Sequence, residues 1–158
     1  MENSTALRQT HDVSVERFPA PIGNLLGLTI TYDGIGQTTI GFNANGKFAN
    51  PMGTLHGGVL CDVADAAMGA AFASTLAAGE SFTTLELKIN FLRPVWVASL
   101  KAHARVVNRG KTVGIVECDI VDEQERLVAR ASSTCMILRG ERARGRALPP
   151  EARRSESD

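Results

Sequence analysis

The sequence predicts an α+β fold in which a curled antiparallel β-sheet wraps around one long central α-helix. Three observations lead there. The stretch from Gly58 to Ala78 carries Val59, Leu60, Val63, Ala64, Ala66, Ala67, Met68, Ala70, Ala71 and Phe72 and leaves almost no polar helical face, and a helix apolar all round has to be buried all round. The runs on either side of it alternate apolar and polar residues every second position, the period of half-buried strands. Short polar turns join those runs, so that sequential strands pair antiparallel.

The 158 residues suffice for one core, since domains run to about 100–200 residues. At 44% hydrophobic and 22% charged the chain has the composition of a globular protein rather than of a disordered or collagenous one. Lys+Arg 17 balance Asp+Glu 17, so no basic field favours nucleic acid or an anionic membrane, and neither is expected as a partner. Gly53 to Ala78 is interrupted by Asp62, Asp65 and three glycines, which makes it a poor membrane span. Cys61, Cys118 and Cys135 are an odd number with no charged-then-apolar leader before them, and a reducing, cytoplasmic setting is expected.

Residues 1–20 are polar up to Pro19 and Pro21 and are expected to hold at most a short helix ahead of the domain, which runs over residues 21–138. Leu28, Ile30 and Tyr32, then Thr38, Ile40 and Phe42 across Gly34-Ile35-Gly36, read as a hairpin. Leu85, Leu87, Ile89 and Phe91 form a strand ending before Pro94, and Leu100, Ala102, Ala104 and Val106 form the next. Val113 and Ile115 give way to Val116, Cys118 and Ile120, a phase slip that predicts a β-bulge near Gly114. Leu127 to Leu138 is a last strand after the turn at residues 122–125. Residues 139–158, rich in Arg with Pro149-Pro150 and no aromatic residue, are expected to be a disordered, solvated tail. Trp96, the single tryptophan, is expected in the core.

Two acids stand inside the apolar helix. Asp62 is expected near its first turn at the surface, where the macrodipole favours a carboxylate. Asp65 lies deeper among alanines, where an unpaired carboxylate is costly and a functional role is the better reading. Ahead of the helix stands Gly53-Thr54-Leu55-His56-Gly57-Gly58, and glycines at a helix N-terminus let a ligand approach free N–H groups of partial positive charge. Gly57 and Asp65 are eight residues apart, about 12 Å along a helix at 1.5 Å per residue, so no single carbonyl touches both. If both serve one reaction, the acid comes from a second chain running antiparallel to the first, in a two-fold homodimer or a larger assembly such as a homotetramer. Small residues at Ala66, Gly69, Ala70 and Ala73 suit a close approach of that second helix.

The run Asn50-Pro51-Met52-Gly53-Thr54-Leu55-His56-Gly57-Gly58, followed by Asp65 and by Thr83-Thr84-Leu85-Glu86-Leu87-Lys88-Ile89-Asn90-Phe91-Leu92-Arg93-Pro94, resembles the hotdog-fold acyl-CoA thioesterases of the phenylacetyl-CoA (PaaI) and 4-hydroxybenzoyl-CoA type. The resemblance spans residues 21–138 and includes the Asn108-Arg109-Gly110-Lys111 turn. It implies a hotdog fold and an acyl-CoA substrate whose thioester carbonyl is bound by the Gly57 amide, with Asn50 and His56 forming or polarising the pocket. Asp65 of the neighbouring subunit is then a general base toward water or a nucleophile, and Thr84, or Thr83 beside it, orients the water. Gly58 belongs to the same turn. Arg93, Arg109, Lys111 and Thr112 are the candidates for the coenzyme A phosphates. No cofactor and no metal is implied, and His11, His56 and His103 have no ligand-like spacing.

Three other readings compete. Cys61 as a nucleophile lacks any feature that would activate a thiolate. A hydratase of the same fold is disfavoured because His56 follows Asn50 by six residues rather than three. A non-catalytic acyl-CoA sensor would keep the glycines, but is expected to lack the acid and to carry a DNA-binding segment.

Overall fold

The computed structural model describes residues 15–146. In chain order the elements are β1 (Glu16–Arg17), α1 (Pro21–Leu26), β2 (Thr29–Gly34), β3 (Gln37–Ala44), α2 (Gly57–Ala73), β4 (Ser81–Phe91), β5 (Ala98–Arg109), β6 (Val113–Val121) and β7 (Leu127–Leu138). The strands form one sheet in the order β1-β2-β3-β5-β6-β7-β4, every pair antiparallel. The sheet curls around α2, which packs on β3, β5, β6, β4 and β7, and this is the hotdog architecture. Ile30, Ile40, Leu100, Val116, Ile120 and Val128 from the sheet meet Val63, Met68 and Phe72 from α2 in a core closed to solvent. Thr38 is also inside, because its hydroxyl donates to the Ala67 carbonyl at 2.8 Å and so ties β3 to the helix.

Several expectations need correction. The sheet begins before residue 21: Glu16–Arg17 pairs with Thr29–Ile30, and the short helix is α1, which starts at Pro21, where proline fits a first helical turn. Residues 1–14 and 147–158 lie outside the described residues. Arg139 to Arg146, expected in a disordered tail, continue the fold with a 3-10 turn at Gly140–Ala143, and the Arg139 guanidinium bonds Glu80 and the Lys111 carbonyl. Helix α2 stops at Ala73 rather than Ala78. The Ser74 and Thr75 hydroxyls take the Ala71 and Phe72 carbonyls at 2.7 Å, diverting acceptors that a further turn would use.

The phase slip expected in β6 is absent. Gly114, Val116, Cys118 and Ile120 all face inward, and Val113 and Ile115 point out. The irregularity lies across the ladder, in β5 between Val106 and Asn108. A second one interrupts β4 between Thr84 and Glu86. There Leu85 is 53% exposed rather than inward, and the inward set changes from Phe82 and Thr84 to Leu87 and Ile89.

Candidate active site

Helix α2 is not buried all round in the single chain. Gly58, Asp62 and Asp65 are exposed and Cys61, Ala66 and Gly69 half-buried, a stripe at helical spacing that the sheet leaves open. Asp62 stands in the second turn, not the first, and caps nothing. Ala70 and Ala73 turn inward to the sheet, and Gly69 faces the Phe82 ring of its own chain, so of the four small residues expected at a helix contact only Ala66 and Gly69 flank the stripe.

The loop before α2 is built by its own side chains. The Asn50 amide donates to Thr54 Oγ1 at 2.9 Å, while its Oδ1 accepts the Met52 N–H at 2.9 Å. Asn50 therefore shapes the loop with both ends of its amide. His56 is the N-cap of α2, and its Nδ1 accepts the Gly58 N–H at 3.0 Å. That bond occupies the Gly58 amide and leaves the ring proton on Nε2. The Gly57 N–H, at the first helical position, has no partner among the described residues and is the free donor at the positive end of the macrodipole. Beside it opens a cavity of about 410 Å³ whose wall includes Leu55, Leu60, Phe91, Arg93, Pro94 and Val95. The exposed Phe91 ring lies over Gly57, where a Cβ would sit 2.9 Å from the far edge of the ring, which would have to turn aside.

Two helical turns on, Thr84 Oγ1 donates to Asp65 Oδ1 at 3.4 Å. Although Asp65 faces the open stripe, partial burial of its carboxyl against the surrounding chain raises its pKa, the Thr84 hydrogen bond opposes the rise and the Asp62 charge adds to it. Thr84 rather than Thr83 faces the acid. Behind Thr84, on β7, stands its register partner Cys135, fully buried, with a thiol pKa pushed up chiefly by burial. The Cys61 thiol is raised too, by burial and by Asp62 and Asp65, which disfavours the thiolate a nucleophile needs.

The residues expected at the coenzyme A phosphates do not form one cluster. Arg93 lines the cavity beside Gly57. Arg109 is instead ion-paired with Glu80, which also pairs with Arg139. Lys111 and Thr112 form the exposed β5–β6 turn next to that pair: the Lys111 carbonyl accepts from Arg139, and the Thr112 carbonyl accepts the Ile137 N–H of β7. Trp96, expected in the core, is 57% exposed in the loop between β4 and β5. The sequence reading missed Phe91 over Gly57 and Cys135 behind Thr84; both appeared only as apolar positions of strands.

The family profile described as "Thioesterase superfamily" matches residues 52–129, a span that holds Gly57, Asp65 and Thr84. The chain is 34% identical over 106 residues to the acyl-coenzyme A thioesterase PaaI of Escherichia coli, covering 66% of this chain and 73% of that one. The chain belongs to the thioesterase superfamily. As a member of that superfamily it is a thioester hydrolase of the PaaI-like, hotdog kind. It is also 27% identical to the 1,4-dihydroxy-2-naphthoyl-CoA hydrolase of Listeria monocytogenes, over 71% of this chain and 91% of the relative. The solved structure of E. coli PaaI superposes with a TM-score of 0.72 at 27% identity, covering 77% of this chain and 87% of that one. Among the described residues of this thioesterase, no helix is long and apolar enough to cross a membrane.

Proposed function

We propose that the protein hydrolyses an acyl-CoA thioester to the free acid and coenzyme A, in a site shared by two subunits of a homodimer. The observation that carries this reading is the separation of the two halves. The free Gly57 N–H and the Thr84–Asp65 pair sit on one chain, about 12 Å apart by helix rise, along a stripe of α2 that none of the described residues covers. A two-fold partner laid antiparallel on that stripe brings its own Asp65 to this Gly57, and the reverse. Strand β4 borders the stripe and is an edge of the sheet, which gives such a partner a ladder to extend.

In this reading the thioester carbonyl accepts a hydrogen bond from the Gly57 N–H, with His56 Nε2–H as the second donor. Oxyanion donors of this kind are worth about 2.7–4 kcal/mol each. The partner's carboxylate acts as general base: it takes a proton from a water that the Thr84 hydroxyl helps to hold, and the hydroxide attacks the carbonyl carbon. The tetrahedral intermediate expels the coenzyme A thiolate, which is reprotonated. A raised carboxyl pKa suits the base role at neutral pH. The apolar cavity at Gly57 takes the acyl group, and Arg93 and Lys111, which have no ion-pair partner among the described residues, are free for the phosphates. That the E. coli and L. monocytogenes relatives are named for CoA thioesters supports the substrate class. Buried, unpaired Cys118 and Cys135 support a reducing cytoplasmic setting.

The test is thiol release from aryl-, short-, medium- and long-chain acyl-CoAs by wild type, Asp65→Asn and Gly57→Pro, proline being tolerated at a first helical position while removing the N–H. Each variant is expected to lose activity alone, and dimers mixed from the two to recover it, since one of their two sites is intact. Wild type that binds acyl-CoA without releasing thiol puts the sensor reading in its place.

A further inference from the structure

Thr84 faces Asp65 only because β4 is bulged. On an unbroken strand the residues on one face share a parity. Leu87 and Ile89 pack into the core, so a regular β4 would turn Leu85 and Thr83 inward and carry Thr84 to the outer face. The extra residue at Leu85, between the paired positions Thr84 and Glu86, resets the parity, and both Thr84 and Leu87 point in. The bulge is held from β7 on both faces of the sheet. On the inner face the Ser133 hydroxyl donates to the Glu86 main-chain carbonyl at 2.9 Å. On the outer face Thr134 Oγ1 donates to Glu86 Oε1 at 2.8 Å. Ser133 is 1% exposed, and a buried hydroxyl among core residues has its place there only through the bond it makes. It touches neither Thr84 nor Asp65 in this hydrogen bond, and its other polar neighbour is Cys135 Sγ at 3.9 Å.

We propose that Ser133 is a positioning residue for the Thr84–Asp65 pair: by fixing the Glu86 carbonyl it holds the bulge in the one arrangement that aims the Thr84 hydroxyl at the carboxylate. This rests on the general-base reading above, and extends it to a residue on a strand that lines neither the cavity nor the open stripe. Thr134 supports the same bulge from solvent and matters less, because an exposed hydrogen bond is readily replaced by water.

The experiment is a double-mutant cycle on kcat for acyl-CoA hydrolysis, with Ser133→Ala, Thr84→Ala and the double variant, each checked for dimer content and thermal midpoint. Ser133→Ala is expected to lower kcat about tenfold with KM little changed, the scale of a small misplacement of reacting groups. Its acid limb should move to higher pH, as that of Thr84→Ala does, because the carboxylate has lost the same donor. In the Thr84→Ala background, Ser133→Ala is expected to change kcat no further. Additive losses, or a fall in thermal midpoint with no movement of the pH profile, would overturn the positioning role and leave the mechanism standing. Wild-type kcat in Thr84→Ala would instead defeat both together. Should Ser133→Ala not fold, Ser133→Cys keeps a donor at the position but a weaker one, and the same cycle reads it.

Discussion

His56 caps α2 through Gly58: the imidazole Nδ1 accepts the Gly58 N–H at 3.0 Å, so one exposed side chain starts the helix and keeps its Nε2–H unbonded among the described residues. The two roles separate by substitution. His56→Ala removes the cap and is expected to cost about 1 kcal/mol of stability, whereas His56→Asn supplies another good capping side chain and keeps it. Both lose the Nε2 donor. Thermal melts should therefore split the pair while thiol release falls in both; full activity in His56→Asn would confine His56 to capping.

Asp65 sets a pH signature. Its carboxyl titrates above the ordinary 3.8 because burial penalises the charge, with Thr84 working against the shift. The acid limb of kcat/KM is then expected above the usual carboxylate range, and Thr84→Val should move it higher. Stability has the opposite sense. A carboxyl whose folded pKa exceeds its unfolded one binds more protons in the native state, so stability falls as pH rises through the interval between the two values. Asp65→Asn, which cannot ionise, should be more stable than wild type at neutral pH and equal to it well below pH 3.8. Denaturant melts at the two pH values check this.

Much of this was legible in the sequence because it is carried by period and spacing. The alternations place β2 to β7 and the apolar run places α2, while Gly57, Asp65 and Thr84 stand out in the sequence as candidates by residue type and spacing. What escaped has identifiable causes. A bulge adds a residue without a compositional mark, so the facing of Thr84 against Thr83, and of Leu85, was not decidable from alternation. Trp96, as the single tryptophan, is expected inside, but it sits in a loop where Leu92 and Val97 are exposed with it. Arg109 read as a free cation because Glu80 is 29 residues away in the chain. Helix α2 looked longer than it is because Ser74 and Thr75 end it through side-chain hydrogen bonds that compete with, rather than interrupt, an otherwise helical composition.

The inward phase of β6 yields a stability prediction. Gly114 stands where an alternating strand calls for a side chain, and the Phe72 ring fills that space. A Cβ on Gly114 would lie 2.8 Å from the Asn108 carbonyl oxygen and would meet the ring as well. Gly114→Ala is expected to destabilise by about 1–3 kcal/mol, as overpacking does. Phe72→Leu in the same chain should recover only part of this, since the Asn108 carbonyl cannot move without breaking the β5–β6 ladder. Chemical denaturation of the single and double variants measures both effects.

Arg93 and Arg109 should part company by what each is bonded to. Arg93 is exposed at the cavity mouth, and if it meets a coenzyme A phosphate, Arg93→Ala raises KM several-fold with kcat nearly unchanged, an effect that added salt should erode. Arg109 has 28% of its side chain exposed and Glu80, its partner, 11%, so Arg109→Ala leaves a half-buried carboxylate with fewer donors and should lower the thermal midpoint while KM stays put. Burial alone would raise the Glu80 pKa, but the Ala77 N–H, Arg139 and Arg109 together hold it below its ordinary 4.5. A depressed carboxyl contributes its stability in full above the ordinary value and loses it as pH falls through the folded one. The thermal deficit of Arg109→Ala against wild type is therefore expected to be largest at neutral pH and to shrink below pH 4.5. A deficit independent of pH would mean that Arg109 stabilises by packing its aliphatic stem, and a raised KM would return it to the coenzyme A site.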